Sequence, residues 1–155
     1  MKKIILISIL TLVVDILTKQ LVLNTMLEHQ SISIIEKFFS ITYAKNTGVA
    51  FSFLEGKIPL IIIMTSIVII LILKYIKSTN PNKYEKLCYG LIIGGAIGNL
   101  IDRVIYGYVI DFLDFNLFGY PFPIFNLADT AIVLGVIILL ILSLIESRNP
   151  NENNR

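Results

Sequence analysis

The fold of this chain is decided by its apolar stretches, of which the clearest is residues 58–76, with the sequence IPLIIIMTSIVIILILKYI. A helix needs about 20 apolar residues to cross the roughly 30 Å hydrocarbon core of a bilayer. Similar apolar blocks occupy about residues 4–27, 84–103 and 124–146. Only 15% of the residues are charged, against about 25% in a typical soluble domain. We therefore predict an integral membrane protein.

The apolar blocks predict helices, because backbone groups inside hydrocarbon must pair within one helix or around a closed barrel. A barrel would show alternating segments of about 10 residues, and the blocks show no such alternation. The first block begins like a secretory signal peptide but continues into Asp15 and Lys19 without a small-residue cleavage site, so we predict a retained helix. The prediction is an all-α membrane protein with four transmembrane helices. They form a single membrane-embedded domain, residues 1–147, followed by a polar cytoplasmic tail, residues 148–155.

The distribution of basic residues predicts the orientation of the helices. One set lies at the N-terminus, between the second and third helices and in the tail: Lys2, Lys3, Lys74, Lys77, Lys83, Lys86, Arg148 and Arg155. Because cytoplasmic loops carry an excess of Lys and Arg, both termini are expected in the cytoplasm. The loops after the first and third helices are then extracytoplasmic. The net charge of only +2 argues against a nucleic-acid partner.

The first outer loop has a strand-like pattern. Polar and apolar residues alternate at residues 31–34 (SISI) and again at residues 38–43 (FFSITY), as expected for half-exposed strands. We predict a small extracytoplasmic antiparallel β-sheet over about residues 30–56, resting on the outer membrane surface. In the second outer loop, Pro121 and Pro123 exclude a continuous helix before the fourth block.

Few side chains in this sequence can support chemistry. His29 and Cys88 lie on different segments, so they do not form a zinc site, and His29 beside a helix end is more typical of a solvated surface residue. Lys45 has no serine in a nucleophile-elbow context to activate. We therefore predict no metal site and no cofactor, and the carboxylates remain as the candidate reactive groups.

Two of these carboxylates flank one short outer loop. Asp111 and Asp129 are expected at the outer ends of the third and fourth helices, where they could meet. Two carboxyl groups a few Å apart cannot both ionise readily, so they share one proton. The ionised member can take a proton from water while the protonated member donates to a carbonyl oxygen, as in aspartic proteolysis. Asp114, three residues after Asp111, is an alternative first member of the pair on these grounds.

Two other classes of protein compete with an enzyme. In a small transporter or channel, Asp15, Asp102, Asp111 and Asp129 would form a proton or cation relay, since acidic residues in membrane helices often mark such pathways. The short chain has no inverted repeat and no pair of broken helices, which many transporters have. A membrane scaffold without activity is the second alternative, but it leaves the polar residues near one face without a role.

Five motifs, taken together and in this order, resemble one known family. They are Asp15 with Lys19, NTGVAF at 46–51, GNLIDR at 98–103, GYVIDF at 107–112 and FNLAD at 125–129. On these motifs the chain resembles lipoprotein signal peptidase, the signal peptidase II family. The resemblance covers the chain from Asp15 to Asp129.

The resemblance implies a membrane aspartic endopeptidase of the bacterial cytoplasmic membrane, with its active site near the extracytoplasmic face. It removes signal peptides from prolipoproteins by cleaving before the diacylglyceryl-modified cysteine. In this sequence Asp111 and Asp129 match the catalytic pair. Residues that match the pocket and its substrate contacts are Asn46, Gly48, Asn99, Arg103 and Asn126, and supporting positions are Asp15, Lys19 and Asp102. The expected partners are lipid-modified prolipoprotein substrates and membrane lipid, and we expect a monomer.

Overall fold

The computed structural model describes residues 1–49 and 53–148. Within them, four helices are long and apolar enough to cross a membrane, which confirms the predicted helical class. They are α1 (Lys2–Thr25), α2 (Ile58–Ser78), α3 (Lys83–Tyr106) and α4 (Leu127–Arg148). Residues 149–155, most of the predicted polar tail, lie outside the described residues.

α3 lies at the centre of the helical part and packs against the other described helices. It is the least apolar of the four candidate spans, with a mean hydropathy of 1.3, and the most buried. The close packing depends on glycine. A Cβ at Gly90 would lie 2.6 Å from the Cβ of Ile7, and one at Gly94 would lie 2.6 Å from the carbonyl oxygen of Ser8. Small residues of this kind let membrane helices approach closely.

The two ends of α3 are defined by local signals. At its start Asn82 accepts hydrogen bonds from the backbone of Tyr84 and Glu85, and Glu85 accepts one from the backbone of Asn82, which is a capping box. At its end Gly107 adopts a left-handed conformation with φ 76°, which glycine takes without steric cost. The chain turns there and enters a strand two residues later.

A four-stranded antiparallel sheet stands at one end of the helices, where α1 ends and α4 begins. Its strands are β1 (Ser31–Ile35), β2 (Phe39–Asn46), β3 (Val109–Leu117) and β4 (Tyr120–Pro121), in the order β1-β2-β3-β4. The predicted sheet is confirmed, but its extent differs from the prediction of residues 30–56. The described part of the first outer loop is not a strand after Asn46, and residues 50–52 lie outside the description.

The second half of the sheet comes from the second outer loop, which the sequence analysis left without strands. The reason is that β3 does not alternate between a polar and an apolar face. Residues 109–112 are all buried. One side of the strand packs on Val22 of α1 and on Met26, which directly follows α1, and the other side faces the polar residues of the site. A strand buried on both faces lacks the period of two that a sequence pattern reveals.

α4 begins three residues later than the predicted start at residue 124. Residues 124–126 are not helical, and Phe125 pairs with Leu113 of β3 in an isolated bridge. This pairing holds the chain against the sheet before the helix starts. Asn126 then caps the helix, as described below.

Candidate active site

The two predicted catalytic aspartates reach the site from different kinds of element. Asp129 lies in the first turn of α4, as the sequence predicted. Asp111 lies on β3 and not at the end of a helix, because the turn at Gly107 ends α3 before it. β3 pairs with β2 so that Ala44 lies opposite Asp111. This register brings Asp111 beside the end of β2, where Asn46 lies.

Three asparagines donate hydrogen bonds to the two carboxylates. Asn46 Nδ2 donates to Asp111 Oδ2 at 2.9 Å, and Asn126 Nδ2 donates to Asp111 Oδ1 at 2.7 Å. Asn99 Nδ2 donates to Asp129 Oδ1 at 2.7 Å. Asn126 Nδ2 also lies 3.1 Å from Asn99 Oδ1. The amides therefore connect the two aspartates without adding charge.

Asn126 also caps α4. Its Oδ1 accepts a hydrogen bond from the backbone N–H of Asp129 at 2.9 Å, and Asp129 Oδ2 accepts one from the backbone N–H of Asn126 at 3.3 Å. This reciprocal pair satisfies two backbone donors at the helix start. The positive end of the α4 dipole lies there, and it favours a negative charge on Asp129.

A buried ion cluster lies beneath the asparagines. Lys19 Nζ is 2.8 Å from Asp15 Oδ2, 2.9 Å from Asp102 Oδ2 and 2.9 Å from Asn99 Oδ1. Both Asp15 and Lys19 are only 1% exposed. Two of the acids that a transport relay would use, Asp15 and Asp102, thus form ion pairs with the same lysine. The sequence suggested only the i, i+4 contact between Asp15 and Lys19 on α1, whereas the cluster also includes Asp102 of α3.

Each carboxylate of this cluster also holds a backbone group next to a catalytic candidate. Asp15 Oδ1 accepts from the backbone N–H of Ala128 at 3.0 Å, one residue before Asp129. Asp102 Oδ2 accepts from the backbone N–H of Ile110 at 3.2 Å, one residue before Asp111. The predicted supporting residues are therefore linked to both aspartates through the backbone.

Arg103 and Gly48 meet on the other side of the aspartates. Arg103 Nη2 donates to the Gly48 carbonyl oxygen at 2.6 Å, and Nη1 donates to the Asn99 carbonyl oxygen at 3.2 Å. The Gly48 N–H donates to Asn46 Oδ1 at 2.9 Å. These bonds fasten the loop after β2 to α3 and orient the Asn46 amide toward Asp111.

Asp111 and Asp114, the two candidates for the first member of the pair, lie in different surroundings in the structure. Residues three apart on a strand point to opposite faces of a sheet. Asp114 Oδ2 accepts a hydrogen bond from Thr42 Oγ1 at 2.7 Å, whereas Asp111 is 2% exposed and borders the same cavity as Asp129. Asp111, and not Asp114, therefore shares this cavity with Asp129.

The cavity has a volume of about 1070 Å³ and joins polar and apolar surroundings. The polar residues of the site form one part of its wall. The rest includes side chains from the membrane-spanning helices, among them Thr65 of α2, Ala96 of α3, and Ile132 and Val133 of α4. Thr65 lines the cavity but was not predicted, because a single threonine in an apolar helix carries no functional signal.

Burial, and after it the negative charge of Asp129, together raise the pKa of Asp111 from 3.8 to about 7. Hydrogen bonds from Asn46 and Asn126 oppose this increase in the pKa of Asp111. With this pKa, Asp111 keeps its proton at mildly acidic pH, where an ordinary aspartate is ionised. The site therefore presents a protonated carboxyl group beside a second carboxylate at a helix N-terminus.

Comparisons with known proteins give a consistent result. The family described as Signal peptidase (SPase) II matches residues 7–145. The lipoprotein signal peptidase of Staphylococcus aureus strain MRSA252 is 40% identical over 149 residues, which cover 96% of this chain and 91% of that protein. The protein of the same name from strain Newman is 39% identical, with the same coverage.

Two solved structures share the fold. Both are described as bacterial membrane enzymes solved by the in meso method. The one at 2.3 Å resolution has a TM-score of 0.91 and 36% identity, covering all of this chain and 95% of the other. The one at 1.9 Å resolution has a TM-score of 0.83 and 38% identity, covering 93% and 94% of the two chains. On this evidence the chain belongs to the signal peptidase II family.

Proposed function

We propose that this protein is a membrane aspartic endopeptidase that removes signal peptides from prolipoproteins by cleaving before the diacylglyceryl-modified cysteine. The relatives named lipoprotein signal peptidase support this substrate class. The observation that carries the aspartic mechanism is the placement of Asp111 and Asp129 on one cavity, with Asn126 bonded to both.

The reaction uses one ionised and one protonated carboxyl group. The ionised aspartate takes a proton from water while the water oxygen attacks the scissile carbonyl carbon, and the protonated aspartate gives its proton to the carbonyl oxygen. The resulting gem-diol then collapses. The C–N bond breaks, the leaving nitrogen receives the proton taken from water, and a gem-diol hydroxyl returns a proton to the other aspartate. Both carboxyl groups end in their starting states.

The shape of the cavity fits a substrate that lies partly in lipid. Its polar part contains both aspartates, and its apolar part reaches side chains of α4 such as Ile132 and Val133. We assign the apolar part to the lipid-modified cysteine and the preceding signal-peptide residues. A membrane protease needs this arrangement because its substrate is delivered from the bilayer, while hydrolysis requires water.

The residues around the aspartates have distinct assigned roles. Asn46, Asn99 and Asn126 orient the carboxylates, and Arg103 with Gly48 forms the wall that contacts the peptide backbone. Asp15, Lys19 and Asp102 support the site from below. The enzyme acts as a monomer in the cytoplasmic membrane, with both termini in the cytoplasm and the aspartates near the extracytoplasmic face. The positive-inside distribution of Lys and Arg supports that orientation.

Single substitutions test the mechanism. Asp111→Asn and Asp129→Asn each preserve shape but remove a group that transfers protons, so turnover of a diacylglyceryl-modified peptide should fall by at least 10² to 10⁴-fold, roughly the contribution of general acid–base catalysis. Asp114→Asn is the matched control, because Asp114 bonds to Thr42 on the other face, and it should cleave at close to the normal rate. Near-normal turnover in Asp111→Asn or Asp129→Asn would contradict the proposal.

A further inference from the structure

Lys19 determines which way the Asn99 side chain points. An ammonium group has only donors. Lys19 Nζ forms ion pairs with Asp15 and Asp102 and donates a hydrogen bond to the side chain of Asn99. The atom of Asn99 that faces Lys19 must therefore be the oxygen, Oδ1. The amide nitrogen of Asn99 is then directed away from Lys19 and toward Asp129 Oδ1, at 2.7 Å.

Asn126 reinforces this orientation. Its Oδ1 accepts from the backbone N–H of Asp129, so its Nδ2 must face the other way, toward Asp111 Oδ1 and Asn99 Oδ1. Asn99 Oδ1 thus receives donors from both Lys19 and Asn126. An inverted Asn99 amide would place its N–H groups against two donors and its oxygen against the Asp129 carboxylate. The lysine therefore acts on Asp129 through a single asparagine.

The start of α4 favours the anion of Asp129 over that of Asp111. The charged and titratable groups facing the site come from several elements: Asp15 and Lys19 on α1, Asp102 and Arg103 on α3, Asp111 on β3, and Lys45 and Glu55 on the cavity rim. Lys19 and Arg103 balance Asp15 and Asp102 in charge. The start of α4 adds a partial positive charge at Asp129, whereas Asp111 receives side-chain amides alone among the described residues.

We propose that Lys19 is a positioning residue that keeps Asp129 as the ionised member of the pair and leaves the shared proton on Asp111. It does so by its charge and by holding the Asn99 amide donor against Asp129. This inference rests on the proposed function, since it divides the roles of that same pair. Asp129 then takes the proton from water, and Asp111 protonates the substrate carbonyl oxygen.

The test is the pH dependence of kcat for Lys19→Gln, measured with a saturating lipopeptide that has no ionisable side chain near the cleaved bond. Loss of activity toward low pH reports protonation of the ionised aspartate. The low-pH side of the kcat profile, here called the acid limb, should move upward by about one pH unit when Lys19, which is separated from Asp129 by one asparagine, loses its charge. Lys3→Gln removes an exposed lysine from the same helix and should leave the limb in place.

If Lys19 had a purely structural role, Lys19→Gln would lower kcat at every pH and leave the acid limb in place. That result would overturn the proposal. Asp102→Asn provides a second test if Lys19→Gln does not fold. It keeps the lysine but removes a carboxylate that neutralises it, so the acid limb should move to lower pH, and an unmoved limb contradicts the proposal. If Asp129→Asn still cleaves, the proposed function itself fails, which is a separate outcome.

Discussion

Asn126→Ala tests how much one buried side chain stabilises the protein when it both caps α4 and donates to a candidate catalytic aspartate. The Asn126 side chain is fully buried and takes part in both the α4 cap and the bonds to Asp111 and Asn99. Loss of an N-cap costs about 1 kcal/mol. A buried acceptor that loses its donor costs about 1 to 3 kcal/mol more. Since Asp111 and Asn99 both border the cavity, water can replace part of the lost bonding, and we expect about 3 kcal/mol in total.

The matched control is Asn82→Ala. Asn82 caps α3 with a similar capping box, but it is exposed and lies at the end of α3 opposite to Asn99 and Arg103. Its substitution removes a cap alone and should lower the free energy of unfolding by about 1 kcal/mol. The difference between the two variants measures the buried bonds. Reversible unfolding in mixed detergent micelles, followed by circular dichroism, supplies both values.

Asn126→Asp separates the two roles of this side chain. Aspartate is a good N-cap, so the helix start is kept. However, the variant has no amide donor for Asp111 and brings a third carboxylate to the pair. We expect turnover to fall by at least about 100-fold, the lower bound for disrupted acid–base catalysis. The reasoning is refuted if Asn126→Ala is no more destabilising than Asn82→Ala, or if Asn126→Asp cleaves at the normal rate.

Two further predictions concern pH and packing. Burial and the charge of Asp129 hold the pKa of Asp111 at about 7 instead of 3.8, so between these pH values the folded protein keeps a proton that the unfolded chain releases. The stability of the unmodified protein relative to Asp111→Asn should therefore fall as pH rises from about 4 to about 7. Equal pH profiles for the two proteins would contradict this. In Gly98→Ala, the new Cβ would run into the Asp15 carboxylate, 3.2 Å from its Cγ, and push it from the Ala128 N–H. We expect the free energy of unfolding, measured by thermal unfolding, to fall by about 1 to 3 kcal/mol. Unchanged stability would show that Asp15 has room to move.

Much of the site was accessible from residue types and spacing. The pair Asp111 and Asp129 followed from elimination of other reactive groups together with the family motifs, and the structure places both on one cavity. The i, i+4 spacing of Asp15 and Lys19 predicted their ion pair, which is present at 2.8 Å. Asp102 as the second partner of Lys19 was not predicted, because the contact joins α1 to α3 and depends on how closely those helices pack.

The sequence by itself determined the four transmembrane helices. Hydrocarbon offers no hydrogen-bond partners to the backbone, so an apolar run of about 20 residues must be helical whatever its neighbours are. On residue types alone Asp111 and Asp114 were both candidates, and only the tertiary structure decided that Asp111 shares the cavity with Asp129. That choice depends on β3 being a strand paired with β2 in one register, and a strand buried on both faces shows no period in its sequence. Long-range pairing and close helix contacts, rather than local preference, therefore set the geometry of the site.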